Sequence, residues 1–112
     1  MTKHYKQNKK RANLIITKLA RHFAALYNVK INRISIRNQK TRWGSCSKSG
    51  NLNFNYKLIF LPQELRNYVI IHEICHLLEF NHSKKFWAQV EILVPNYKEV
   101  RKVLRFTHTP HL

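Results

Sequence analysis

Hydrophobic and polar positions change period several times along this chain, and each change predicts a different element. Between residues 10 and 27, Leu14, Ile15, Lys18, Leu19, His22, Phe23 and Leu26 recur at helical spacing, which predicts an amphipathic helix stopped at Asn28. From 31 to 37 the period drops to two. Ile34 and Ile36 oppose Arg33, Ser35 and Arg37, the pattern of a strand with one buried face. A second strand is expected over 42–47, and Lys48-Ser49-Gly50-Asn51 reads as the turn that reverses it. A third strand then carries Leu52, Phe54, Tyr56 and Leu58 on one face and Asn51, Asn53, Asn55 and Lys57 on the other. Together these predict a small antiparallel sheet of about three strands.

Helical periodicity returns after Pro62, a residue suited to a first helical turn because its missing N–H is not needed there. Glu64 stands close behind it, near the positive end of the helix dipole. This helix is expected to reach about Phe80, with Asn81 in the left-handed conformation turning the chain. A further helix starts from Ser83, facing Phe86, Val90 and Leu93 inward until Pro95 ends it. A last one over 96–105 has Val100, Val103 and Leu104 on its apolar side. The sum is an α+β fold in a single domain over 1–112, with a basic arm at 1–10 and a loose tail at 107–112 whose His108 and His111 are solvated.

Composition narrows the setting. With 44% hydrophobic residues in 112, the chain can bury a modest core. No apolar run has the length of a membrane span, and the start lacks the apolar segment of a secretory signal. Two cysteines are too few for a disulfide scaffold, so a reducing, cytoplasmic location without a membrane partner is expected. Charge adds a partner. The formal net charge is +16, and no acidic residue precedes Glu64. Lys3, Lys6, Lys9, Lys10 and Arg11 lie together near the start; Lys84, Lys85, Lys98, Arg101, Lys102 and Arg105 lie late. Such a field attracts polyanions, and nucleic acid held through its phosphates is the expected one.

The chemistry concentrates in His72-Glu73-Ile74-Cys75-His76 and His82. Residues four apart stack on one helix face, so His72 and His76 can share one metal ion. His82, beyond the helix, can return as a third ligand, leaving a fourth position of zinc open for water. Glu73 lies about 100° round the helix, within reach of that water but angled away from the metal. Zinc lowers the pKa of bound water from 15.7 to about 7, and the carboxylate would take its proton. Burying Glu73 in so apolar a run without such a task would cost several kcal/mol. Cys46 could instead close the site as a fourth ligand and make the metal structural, and Glu79 is an alternative third ligand. Tyr68, Tyr97 and Arg42 are candidate donors to the oxyanion. Trp43 is expected in the core, Gly44 at a close backbone approach, and Cys75 as a small packing residue.

Arg42-Trp43-Gly44-Ser45-Cys46, then Asn55, Leu61-Pro62, Tyr68-Val69-Ile70-Ile71-His72-Glu73 and Asn81-His82-Ser83-Lys84-Lys85-Phe86-Trp87 resemble the YgjP-like metallopeptidase family, related to SprT-like and Spartan-type proteases. The resemblance covers about residues 40–104. It implies a zincin-like metallopeptidase core with one Zn2+ per chain, held by His72, His76 and His82, and Glu73 as the catalytic glutamate. It also implies a protein or peptide substrate, and its relatives' association with DNA fits the charge. Family members commonly carry a longer N-terminal region. Metzincins, which share the histidine spacing, have a glycine where this chain has Glu79, which argues against them. The function expected is therefore zinc-dependent peptide hydrolysis, with DNA-associated proteins as one substrate class. The alternative is a basic nucleic-acid-binding module with a structural zinc.

Overall fold

Thr2 starts the first helix, its side-chain oxygen accepting a hydrogen bond from the Tyr5 N–H at 3.2 Å. The computed structural model describes residues 2–107, and helix α1 runs from Lys3 to Leu26. The segment expected as a basic arm is thus helical. Its lysines are good helix formers, and buried Tyr5 docks the added turns by donating to the Ile36 carbonyl at 3.2 Å. The buried face is also rotated from the expected one. Ala12, Ile16, Ala20, Phe23 and Ala24 lie inside, whereas Leu14 is 72% exposed. Small alanines one turn apart let α1 pack close to its neighbours, which a stripe of leucines would hold further off. Asn28 stops the helix at φ 55°, and its N–H donates to the Ala25 carbonyl.

Strands β1 (Arg33–Arg37), β2 (Gly44–Cys46) and β3 (Asn51–Asn55) form a sheet in the order β1-β3-β2. The β2–β3 hairpin is antiparallel, and Gly50 supplies the φ of +87° that its turn requires. β1 pairs in parallel with β3, Ile34 beside Leu52 and Ile36 beside Phe54, so the sheet is mixed rather than antiparallel throughout. The hairpin returns β3 between β1 and β2, and after two reversals it runs in the direction of β1. Side-chain alternation fixes which face is buried but not which way a neighbour runs. β3 is also shorter than expected. The Asn55 side chain accepts the Lys57 N–H at 3.0 Å and turns the chain into a 3₁₀ helix, Tyr56–Phe60, in which Tyr56 and Leu58 are buried all the same.

Helix α2 (Gln63–Cys75) lies at the centre, packed against α1, α3 (Lys84–Leu93), α4 (Tyr97–Arg105) and β2. It ends well before Phe80, with His76 as its C-cap. Ser83 caps α3 by accepting the Phe86 N–H. Phe86 and Val90 enter the core with Leu52, Phe54, Leu58, Ile70 and Ile74. On α4 Val100 is buried, but Val103 is exposed, because only one edge of this short helix meets α2. Among the described residues no helix is long and apolar enough to cross a membrane. His108 and His111 lie outside the described residues.

Candidate metal centre

The early end of α2 builds the site. After Cys75 the N–H groups of Leu77, Leu78 and Glu79 donate to the carbonyls of Ile74, Cys75 and Cys75, winding the chain out of the helix. His76 Nδ1 meets the Phe80 carbonyl at 2.7 Å and pins the turn. Asn81 does not supply the expected left-handed residue. Among the described non-glycine residues that conformation belongs to Asn28. The turn is made instead by those backbone bonds, and Ser83 N–H to the Asn81 carbonyl at 2.8 Å completes it. His82 is thereby carried back, its ring 5.1 Å from that of His72 and 4.6 Å from that of His76.

One nitrogen from each of the three imidazoles lies within 4.8 Å of the others, and His82 Nε2 is 3.3 Å from His72 Nε2. Two nitrogens on one tetrahedral zinc stand about 3.4 Å apart, given Zn–N bonds of about 2.0–2.1 Å. The outer nitrogens are engaged elsewhere: His76 Nδ1 with the Phe80 carbonyl, His72 Nδ1 with Tyr68 Oη at 3.4 Å. An Nδ1–H donated outward leaves Nε2 as the lone-pair donor, the usual arrangement around a ligating histidine. Burial, then the neighbouring His76, His82 and Arg101, hold the His72 pKa down to about 3. The ring is therefore neutral, as a metal ligand must be. Burial likewise lowers the His76 pKa. The donor set fits a divalent cation of zinc's type. Neither Cys46 nor Glu79 belongs to the group of converging ligand atoms.

Two aromatic residues of α3 hold this arrangement. Fully buried Phe86 lies 4.6–5.0 Å from all three imidazole rings and forms the floor beneath them. Trp87 stacks on His82 at 5.8 Å and on Tyr97 at 5.1 Å. Tyr97 is thus a support for Trp87 and does not line the cleft described below.

Glu73 points from α2 into that cleft, which has a volume of about 370 Å³ and is also lined by His72, Tyr68 and Val69. Glu73 is only 8% exposed, and its carboxylate has no hydrogen-bond partner among the described residues. Burial raises its pKa to about 7, opposed by the charge of Arg42. Gly44 makes room for it. A Cβ there would stand 3.2 Å from Glu73 Cγ, from the Asn53 carbonyl oxygen and from Phe54 Cδ1, so the expected close approach is between strand β2 and the glutamate itself.

The facing wall depends on Asn55. This buried side chain donates to the Gln39 and Arg42 carbonyls at 2.8 and 3.0 Å, and its N–H donates to the Trp43 carbonyl at 2.9 Å. These bonds fix the loop that brings Arg42 and Trp43 to the cleft. Trp43 is therefore half-buried at the rim and only borders the core where it was expected to sit. Cys75 is fully buried as packing. Arg101, Leu104 and Arg105 of α4 close the remaining side. Their place here was not read from the sequence, since nothing in the pattern of α4 says which part of α2 it covers. Phe86 and Trp87 left a better signal: they follow His82-Ser83 directly, inside the first turn of a capped helix.

A central helix ending in two histidines, a returning third and a buried glutamate in a cleft define a small metallopeptidase domain. A sequence model of the YgjP-like metallopeptidase domain matches residues 2–107, and the chain belongs to this family. The match includes α1 as well as the 40–104 region. Among solved structures, the metallopeptidase zymogen of Pyrococcus abyssi, abylysin, is similar with a TM-score of 0.70 and 25% identity, over 84% of this chain and 97% of that one. The metallopeptidase zymogen of Methanocaldococcus jannaschii, jannalysin, follows with a TM-score of 0.68 and 25% identity, over 80% of this chain and 94% of that one. No curated protein gives a significant match. Family membership implies a divalent metal and a protein substrate.

Proposed function

We propose that the protein is a zinc-dependent peptidase in which His72, His76 and His82 hold the metal and Glu73 is the catalytic acid–base. The observation that carries this reading is the convergence of three imidazole nitrogens, the outer nitrogens of His72 and His76 pinned, beside a buried glutamate with no hydrogen-bond partner among the described residues. Zinc held there would supply Lewis acidity toward the attacking water and the scissile carbonyl. The residues of the chain do the rest. Glu73, with a pKa near 7, takes the proton of the attacking water on its carboxylate and returns it to the leaving amine. Of the three expected oxyanion donors, Tyr68 and Arg42 line the cleft and can serve, whereas Tyr97 is occupied against Trp87. Cleavage of an unstructured protein substrate tests the reading: it should occur with zinc, stop with chelator, and drop by at least about 100-fold in Glu73→Gln. Undiminished cleavage by Glu73→Gln would remove the glutamate from the mechanism.

The surface supports an extension to substrates on nucleic acid. Lys3, Lys6, Lys9, Lys10, Arg11, Lys18 and Arg21 are all exposed along α1. DNA binding through such a face should weaken steeply between about 50 and 200 mM salt. Binding without any cleavage would instead favour the nucleic-acid module with a structural metal, and absence of binding would make the basic face incidental.

A further inference from the structure

Three arginines from two separate parts of the chain, Arg42 in the loop before β2 and Arg101 and Arg105 on α4, meet at the cleft that Glu73 and His72 also line. Glu73 is the one acidic residue of that lining, and among the described residues none of the three guanidiniums forms an ion pair with a carboxylate. Among the described residues the cleft therefore carries three positive charges against the single carboxylate of Glu73, an excess beside the candidate catalytic group. The choice of cation is also informative. Lysines outnumber arginines thirteen to eight among the 21 basic residues, yet every basic residue of the lining is an arginine. Guanidinium presents a planar fork that matches a carboxylate with two parallel hydrogen bonds, which an ammonium cannot do.

One of the three is held in place. The Arg101 guanidinium lies 4.7 Å over the ring of Trp87, which is itself stacked on Tyr97 at an interplanar angle of 12°. A guanidinium held over an aromatic ring in this way can still donate from its N–H groups, at little further cost in side-chain freedom. The apolar part of the wall, Trp43, Val69 and Leu104, suits the methylene groups of a glutamate or the chain carbons beside a terminal carboxylate.

We propose that this arginine-lined half of the cleft is a subsite for a substrate carboxylate, so that the protein selects peptides with an acidic group next to the bond it acts on. The proposal rests on the peptidase reading of the same cleft and adds its substrate class. An acidic side chain and a free C-terminal carboxylate share this chemistry, and the test separates them.

The test reads binding without turnover. Trp43 and Trp87, the chain's two tryptophans, border the cleft and stack under Arg101 respectively, so their fluorescence reports occupancy in chelator-treated protein. Three short peptides are titrated: one with both ends blocked and a single Glu, the same peptide with Gln, and the Gln peptide with a free C-terminal carboxylate. The expected result is that a carboxylate-bearing peptide binds about 5- to 10-fold tighter than the blocked Gln peptide, as charge-assisted hydrogen bonds at a partly exposed site allow. Whichever carboxylate gains more identifies its source. The ratio should fall toward one in Arg101→Gln and in Arg105→Gln, each checked for folding by circular dichroism; should the first not fold, the second alone decides. Equal binding of all three peptides overturns the proposal, as does a preference that survives both substitutions. So does displacement of the Glu peptide by inorganic phosphate at lower concentration than by acetate at matched ionic strength, which would mark a phosphate site. Failure here is distinct from failure of the peptidase reading. A zinc-loaded protein that cleaves all three peptides equally sinks the subsite and keeps the peptidase, whereas selective binding with no cleavage of any does the reverse.

Discussion

Glu73→Gln should stabilise the metal-free protein, and the gain should grow with pH. The carboxyl pKa rises from 4.5 to about 7 on folding, mainly because the group is buried. A pKa raised by folding means the folded state binds the proton more tightly. Stability is then fully present below pH 4.5 and is lost as pH climbs through 7. The span between the two values corresponds to about 3 kcal/mol, reached by about pH 8. Glutamine keeps the shape of the protonated acid and never ionises, so the variant avoids this loss. His72 works in the opposite sense: its pKa is depressed to about 3, so its contribution is present above 6.5 and fades as pH falls. That contribution is common to both proteins and cancels in their difference. Urea titrations of chelator-treated protein at several pH values between 4 and 8 provide the assay. The variant should match the wild type near pH 4 and exceed it by about 3 kcal/mol near pH 8, a melting-temperature gap on the order of 10 °C for a domain of this size. Parallel stability curves across that range would refute the reasoning, because they would mean the ionised carboxylate is as well solvated in the fold as in the unfolded chain.

Two further substitutions probe the supports of the site. Gly44→Ala places a methyl 3.2 Å from Glu73 Cγ and from two groups of β3 that cannot easily yield. It should cost about 1–3 kcal/mol of stability and, by shifting Glu73, lower kcat by at least about 10-fold while zinc content stays the same; an unchanged kcat would show that strand and glutamate are not coupled. Phe86→Ala removes the floor under three imidazoles and should cost about 3–5 kcal/mol in urea unfolding, with zinc affinity falling alongside. Stability lost without any loss of zinc affinity would separate the ring from the metal site.

What could be read in advance, and what could not, follows from the range of each signal. Caps and periods are local, so Ser83, Asn28 and the β2–β3 hairpin were legible from a few neighbouring residues. The histidine spacing was legible too, because one helical turn fixes which side chains share a face. The early end of α2 was not. The apolar run continues to Leu78, and the signal that stops it is a ring nitrogen capturing the Phe80 carbonyl, a bond between a side chain and a backbone group four residues on. Asn55 reads as one more polar residue on the outer face of a strand, yet it is buried and holds the Arg42–Trp43 loop through bonds to residues 13 and 16 positions away. Helix α1 shows the same limit. Its leucines dominate the pattern, but its alanines make the contact, since close packing rewards small side chains that hydrophobicity alone ranks low. Arg101 and Arg105 read as surface charge, and only the docking of α4 onto α2 brings them to the cleft.

Zinc affinity, measured by competition with a chromophoric chelator in the wild type and in His82→Ala, bears most directly on the three-histidine site. One tightly held zinc per chain is expected, weakened by at least about 100-fold when His82 is removed, as the loss of one of three protein ligands implies. A variant that binds zinc as tightly as the wild type, or a wild type that binds none, would contradict the account.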